Sequence, residues 1–278
     1  MVKVVTDSCS DLPEGVASEL GILIVPLNVY FGDETFRDGV DITAEEFYQR
    51  LTTGPIMPKT TAPAPGTFAE IYSSLASSAD EILSLHISKK LSGTYDSALL
   101  AKQQVGKKIR IEVVDSLTVS TAQGLLAIKA AKLAKEGASL DHILKLLREA
   151  MDRTRLFFVV DTLEYLHKGG RLGRAGAFLG SLLNIKPLLH IQDGEVCPLE
   201  RVRSRQKAVS RLIEVAKECA PFESLAFMYT TNPTEVETLK RELQSLAPEE
   251  STYTARIGPT IGTYGGPEAI AVALIKKA

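Results

Sequence analysis

Short apolar runs rich in Val and Ile recur along the first half of the chain as "VKVVTDS", "ILIVPLNVYF", "EILSLHIS" and "IRIEVVDS", and segments of helical period separate several of them. Such alternation predicts an α/β fold with a mainly parallel sheet. The helical segments are "LPEGVASEL", "TFAEIYSSLASSA" and "YDSALLAKQQVG", the last ending at Gly106, where a glycine just past the helix is expected. Two longer helices, "STAQGLLAIKAAKLAKEG" and "SLDHILKLLREAMDRT", follow and close the first unit. Between Tyr30 and Phe68 the pattern breaks, because Gly32, Gly39, Gly54, Pro55, Pro58, Pro63, Pro65 and Gly66 interrupt any regular element. Residues of about 30–67 therefore read as a long irregular, lid-like insertion. Within it, "YFGDETFRDG" predicts a small hairpin with a solvent-exposed Gly-Asp-Glu turn. Composition changes again after "RLFFVVDTLEYLHKGGRLGRAG", and strand–helix alternation resumes through "PLLHIQDGEVCPLERV", "SRQKAVSRLIEVAKECA", "SLAFMYTT" and "TEVETLKRELQSL". That is a second α/β unit, and the division falls between domains 1–160 and 161–278.

Composition narrows the function classes. The 278 residues are 45% hydrophobic and 24% charged, ample for a core, and the net charge of −2 gives no global field favouring nucleic acid or an anionic membrane. Any anion site must then be local. Cys9, Cys197 and Cys219 are odd in number and widely spaced, which suggests neither a disulfide framework nor a zinc site and fits a reducing cytoplasm. "MVKVVTDSCSDLP" lacks the apolar stretch of a signal peptide, and runs such as "GILIVPLNVYF" and "AFLGSLLNI" are too short or interrupted to span a bilayer. His86, His142, His167 and His190 are scattered, so no metal site is expected, and there is no GxSxG elbow or HExxH.

Several polar stretches sit where ligands bind in α/β proteins. Two predicted strands end alike, at Asp7-Ser8 and Asp115-Ser116, and the carboxyl ends of strands are where loops diverge to form a crevice. Helix capping and Asx turns explain the same residues. "SKKLSGTYDSALL" places Ser92, Gly93 and Thr94 where a strand turns into a helix. A helix N-terminus has unpartnered N–H groups and a partial positive charge, so these residues form either a cradle for a small acidic group or a simple cap. Thr60 and Thr61 in "KTTAPAPGTF" add hydroxyls on a Pro-constrained loop, or are turn residues only. "KGGRLGRAG" is basic and Gly-rich but matches neither GxGxxG nor GxxxxGK[ST].

Six segments together, "VTDSCSDLP", "PKTTAPAPGTF", "SKKLSGTYDSA", "VVDSLTVSTAQG", "DTLEYLHKGGRLG" and "LLNIKPLL", occur in the order and spacing of the DegV family of bacterial fatty-acid-binding proteins, which the whole chain resembles. The resemblance implies two α/β domains with one long-chain fatty acid buried in the cleft between them. It also implies a carrier rather than a catalyst, needing no cofactor and handing the acid to a separate fatty acid kinase. By motif, Thr60, Thr61 and Ser92 look like the hydroxyls that hold the carboxyl group, with the Gly93 and Thr94 amides nearby and Arg171 at the domain junction. The tail departs from the family pattern: "GTYGGPE" puts Tyr264 where relatives commonly carry histidine, and Glu268 where they carry glycine. Tyrosine still donates a hydrogen bond but brings no positive charge. Arg201, Arg203 and Arg205 in "ERVRSRQKAVSR" are either a solvated helix face or a docking patch for the kinase. Two rival readings are an acyl hydrolase or transferase with Ser92 as nucleophile and His86 as base, and a sensor of a nucleotide or sugar phosphate.

Overall fold

The computed structural model describes residues 1–181 and 185–278, and side chains except at 179–184. Of the "LLNIKPLL" motif, Leu182, Leu183 and Asn184 lie outside the described residues. The first unit is built on β1 (Val2–Asp7), α1 (Val16–Leu20) and β2 (Leu23–Val25), followed after the insertion by α3 (Pro65–Leu75), β6 (Glu81–His86), α4 (Thr94–Val105) and β7 (Arg110–Asp115). Its strands form a fully parallel sheet in the order β2-β1-β6-β7. The insertion contributes β3 (Asn28–Phe31), β4 (Glu34–Arg37), α2 (Ala44–Thr53) and β5 (Lys59–Thr61). Two long helices, α5 (Thr121–Lys135) and α6 (Leu140–Arg153), lead into β8 (Thr154–Val159) and the short α7 (Glu164–Lys168).

The remaining chain supplies β9 (Lys186–Gln192), β10 (Glu195–Val202), α8 (Arg205–Lys217), β11 (Phe222–Tyr229), α9 (Thr234–Leu243), β12 (Thr252–Arg256), α10 (Pro259–Gly265) and β13 (Ile270–Lys276). With β8 these strands make a mixed sheet, β10-β9-β8-β13-β11-β12, in which only the β11–β12 pair is parallel. Asp193 and Gly194, both at positive φ, turn β9 into β10 as a two-residue hairpin loop demands.

The predicted α/β architecture is what forms, and its layers explain the core. Helices α3 and α4 cover the outer face of the parallel sheet around Phe68, Tyr72 and Ile111, while α8 and α9 cover the outer face of the mixed sheet around Leu212, Phe227 and Leu239. Helices α5 and α6 fill part of the space between the two sheets, with Leu125, Leu126, Ile143 and Leu147 buried there. Close approach is built into α5: a Cβ at Gly124 would stand 2.6 Å from the Ser10 carbonyl oxygen, so only glycine lets the helix seat.

The insertion differs from the irregular excursion expected. Its hairpin forms with an exposed turn at Gly32 and Asp33, but β5 adds to it as a third strand and α2 packs on top. Thr43 and Glu46 close a reciprocal capping box at the start of α2, and Phe47, Tyr48 and Leu51 bury one helical face against Val29 and Phe31. Prolines and glycines there mark the joints of a small packed unit.

Candidate functional site

Between the mixed sheet and the first unit lies a cavity of about 800 Å³ when the space open to solvent is counted with it. Its floor is one face of the mixed sheet, with Phe158, Val160, Ile191, Met228 and Ala271 contributing. Its roof comes from the first unit, through Leu27, Ile87, Leu91 and Val119, and α10 closes one side with Ile261 and Tyr264. The lining is overwhelmingly apolar. A concave, apolar lining with a few polar groups is the usual character of a small-ligand site.

Polar groups converge at one end. Thr60 and Tyr264 share a hydrogen bond of 2.6 Å between their hydroxyls, although 204 residues separate them. The Arg171 guanidinium stands 5.0 Å over the Tyr264 ring and donates to the carbonyls of Leu91 (3.1 Å) and Gly169 (2.8 Å). Ser92 lines the same cavity, its Oγ 2.8 Å from Thr94 Oγ1. Tyr264 is wedged tightly: a Cβ at Gly169 would lie 2.4 Å from its ring, so the "KGG" glycine is the space the tyrosine occupies. Beyond this polar end lies an outer chamber lined by Met57, Lys59, Lys168 and Thr263, which shares Thr60, Arg171 and Tyr264 with the cavity. The site thus has a greasy interior, a throat of hydroxyls and one guanidinium, and a basic vestibule.

Of the residues singled out from sequence, Thr60, Ser92, Arg171 and Tyr264 come together, and three do not. Thr61 is exposed and bonds Tyr30 at 3.1 Å, because successive side chains on β5 point to opposite faces. Gly93 is exposed with open space where a Cβ would be, and Thr94 is buried with its hydroxyl on Ser92; neither lines the cavity. Ser92 Oγ also accepts from the Thr94 N–H at 3.3 Å, a turn contact just before α4, whose cap position is Gly93 and has no side-chain cap bond.

The paired strand ends serve the backbone rather than a ligand. Asp7 accepts from the N–H groups of Cys9 (3.0 Å) and Ile87 (3.1 Å), and Asp115 Oδ1 accepts from that of Leu117 (3.0 Å). Ser8 accepts from Leu27 N, and Ser116 donates to the Thr118 carbonyl. Neither pair reaches the cavity. His86 is fully buried with Nδ1 2.8 Å from Asp7 and Nε2 2.7 Å from Ser84, whose hydroxyl continues the chain to Tyr72. It is therefore committed elsewhere and is no base for Ser92. The Ser84-His86-Asp7 order mimics a hydrolytic triad, yet every member is sealed inside the core. Cys9 does line the cavity, but burial, followed by the charge of Asp7, pushes its thiol well above the ordinary range, away from a nucleophilic thiolate.

Two members of the basic cluster, Arg205 and Arg211, are neutralised by carboxylates. Arg205 pairs with Glu235 at 2.6 Å and donates to the Glu268 carbonyl at 2.7 Å; Arg211 pairs with Glu200 at 2.7 Å. Arg201 donates to the Ala177 carbonyl at 2.7 Å and lies over the Phe178 ring. Arg203 is exposed. Arg205 thus ties α8 to α9 through Glu235.

Sequence reading missed what anchors α10, the wall that carries Tyr264. Asp11 Oδ1 accepts from Gly258 N at 2.9 Å while Oδ2 accepts from Ser120 Oγ at 2.5 Å; Asp38, from the insertion, accepts from Thr260 N at 3.2 Å. Tyr48 donates to the Ile257 carbonyl at 3.0 Å. Ser120 sits at φ 57°, ψ −151°, a strained conformation held in part by its bond to Asp11. Burial raises the Asp11 carboxyl to about 8 and that of Asp38 to about 6, against hydrogen bonds that act in the opposite direction. For an acid whose pKa is higher folded than unfolded, the stabilisation is fully present below the unfolded value and is lost as pH rises through the folded one. The melting temperature should consequently fall as pH climbs from about 4, the ordinary carboxyl value, to about 8, by the equivalent of roughly a few kcal/mol of stability. Asp11→Asn, which reproduces the protonated acid, should flatten that fall; thermal melts across the pH series read it, and equal slopes in both proteins would contradict it.

A family model described as an uncharacterised protein of the DegV family matches residues 1–277. A DegV domain-containing protein of Caldanaerobacter subterraneus is 36% identical over 279 residues, covering 99% of both chains. Among solved structures, a DegV family protein from Thermus thermophilus described for its fatty acid binding superposes with a TM-score of 0.92 at 35% identity, covering 99% of each chain. A stearic-acid-binding protein from Eubacterium ventriosum gives a TM-score of 0.91 at 30% identity, covering 100% of this chain and 99% of its own.

Proposed function

This chain belongs to the DegV family, and from that premise we propose that it is a carrier which buries one long-chain fatty acid in the cavity, carboxyl group at the polar end. The observation that carries the reading is that Thr60, Ser92, Arg171 and Tyr264 line a mainly apolar chamber, Thr60, Arg171 and Tyr264 meeting where it adjoins the outer chamber; the other hydroxyls in the lining are Ser120 and Thr260, beside the anchors of α10. Energetics agree with it. Burying about fifteen methylenes contributes a gross gain on the order of 12 kcal/mol before association costs. A polar head left without partners would cost roughly 2–7 kcal/mol, which converging hydroxyls and a guanidinium offset. The description of similar structures as fatty-acid-binding proteins supports the same ligand class.

Two rivals fare worse. Ser92 lacks a base, since His86 bonds Ser84 and Asp7. An apolar chamber is a poor match for the phosphates of a nucleotide. Titrating delipidated protein with a fluorescent long-chain fatty acid tests the carrier reading: saturable binding near one per chain, displaced by unlabelled acid, is the expected result. Binding of adenosine nucleotides with no response to fatty acid would reject it.

The carrier presents its ligand's carboxyl group through the basic vestibule to a fatty acid kinase, in the cytoplasm. No helix among the described residues is long and apolar enough to cross a membrane. Arg203, exposed together with Arg201 and Lys207, belongs to the part of the basic cluster available to an acidic partner. Arg203→Glu should reduce kinase-dependent turnover several-fold while leaving fatty acid affinity unchanged, as measured by coupled phosphorylation beside the displacement titration. Equal turnover by variant and parent removes Arg203 from the docking surface.

A further inference from the structure

Strand β13 is unusual for the centre of a sheet, where both faces normally carry large residues. Ile270, Val272 and Leu274 pack in the outer core under α8 and α9, whereas Ala269, Ala271 and Ala273 face the space between the sheets. One face of the strand is therefore a shallow trough. Its orientation relative to the polar end is fixed by contact: a Cβ at Gly265, the neighbour of Tyr264, would lie 3.6 Å from Ala269 Cβ. Moving along β13 away from Tyr264, the cavity lining includes Ala269 and then Ala271 but not Ala273, whose partner Leu156 on β8 is the one residue of that row among these strands that still lines it; α5 packs on β11 and β13 in this part of the sheet. In the Ala271 row, Phe158 of β8 pairs with Ala271 on one side and Met228 of β11 pairs with it on the other, and both line the cavity.

We propose that Ala271, flanked by Phe158 and Met228, is the length gauge of the cavity: the terminal carbons of the acyl chain lie on its methyl group, between the two larger side chains. This rests on the fatty acid reading above and adds to it the residue that selects among acids. Two residues of strand span roughly 7 Å, so the trough from Ala269 to Ala271 holds several methylenes, and filling its end excludes the last of them.

The test is a displacement titration of delipidated parent, Ala271→Leu and Phe158→Leu with dodecanoic, hexadecanoic, octadecanoic and eicosanoic acids. Each excluded methylene should weaken binding roughly fourfold. Ala271→Leu is expected to lose on the order of 15- to 60-fold for octadecanoic acid, the equivalent of two or three methylenes, while dodecanoic acid binds as in the parent. Phe158→Leu, which removes volume from the same row, should gain affinity for eicosanoic relative to octadecanoic acid. A cooperatively folding Ala271→Leu with the parent's profile overturns the proposal and sends the tail toward Ile191 and Val196 instead. Should Ala271→Leu not fold, an unchanged profile in Phe158→Leu overturns it equally. If the parent binds none of the four acids, it is the carrier reading that fails, so the two failures are distinguishable.

Discussion

Replacing Arg171 with alanine is expected to weaken binding of a long-chain fatty acid by roughly two to four orders of magnitude. In the free protein the guanidinium is spread over the Tyr264 ring and tethered to the carbonyls of Leu91 and Gly169, so it is already aimed when a carboxyl group arrives. Losing one partner of a buried charge pair costs about 3–5 kcal/mol, and that range converts to the stated loss of affinity. Lysine should not rescue it. An ammonium neither stacks as a plane on the tyrosine nor spans two carbonyls while facing a carboxylate. Titration of both variants with hexadecanoic acid decides the matter; Arg171→Lys with the parent's affinity would reduce the role of Arg171 to a point charge.

Asp7→Ala is expected to produce the largest loss of stability in the molecule without touching the ligand. The Asp7 carboxylate accepts three buried hydrogen bonds, from Cys9 N, Ile87 N and the His86 ring, and joins the ends of the adjacent strands β1 and β6. Its removal leaves three buried donors unmet at about 1–3 kcal/mol each, and a melting temperature lower by roughly 10 °C or more follows for a chain of this size. Folded variant should still bind fatty acid with near-parent affinity, because no member of the Ser84-His86-Asp7 chain lines the cavity. An unchanged melting temperature together with lost binding would place Asp7 at the ligand and refute the structural role.

How much of this was legible in the sequence depends on the range of the interaction. Strand and helix order along the first unit followed from period and punctuation, which are local. Helix α2 was equally local, since Thr43 and Glu46 spell a capping box and Phe47 and Leu51 lie four apart; the surrounding prolines and glycines masked it. The meaning of β13 was hidden for another reason. Its run of small and large apolar residues went unread in the sequence, and that the alanines share one face and leave a trough emerges only from the packing around them. Thr60 and Thr61 look equivalent on a loop and become opposites on a strand.

Sites made across the fold were the least legible. Thr60, Ser92, Arg171 and Tyr264 come from β5, the turn before α4, the segment after α7, and α10, and only the family resemblance had grouped them. Arg205 looked free because its partner Glu235 sits 30 residues on, in another helix. Asp11 and Asp38 carried no signal at all, since each meets α10 more than 220 residues away in the chain. Their role in holding the wall behind Tyr264 is a property of packing alone.

Extraction of the purified protein, followed by mass spectrometry of the organic phase, tests the central claim most directly. Expressed in a bacterial host with ample lipid, the protein should yield close to one long-chain fatty acid per chain, and Arg171→Ala markedly less. Repeated preparations that release no fatty acid, and that take none up when it is added, would contradict the account.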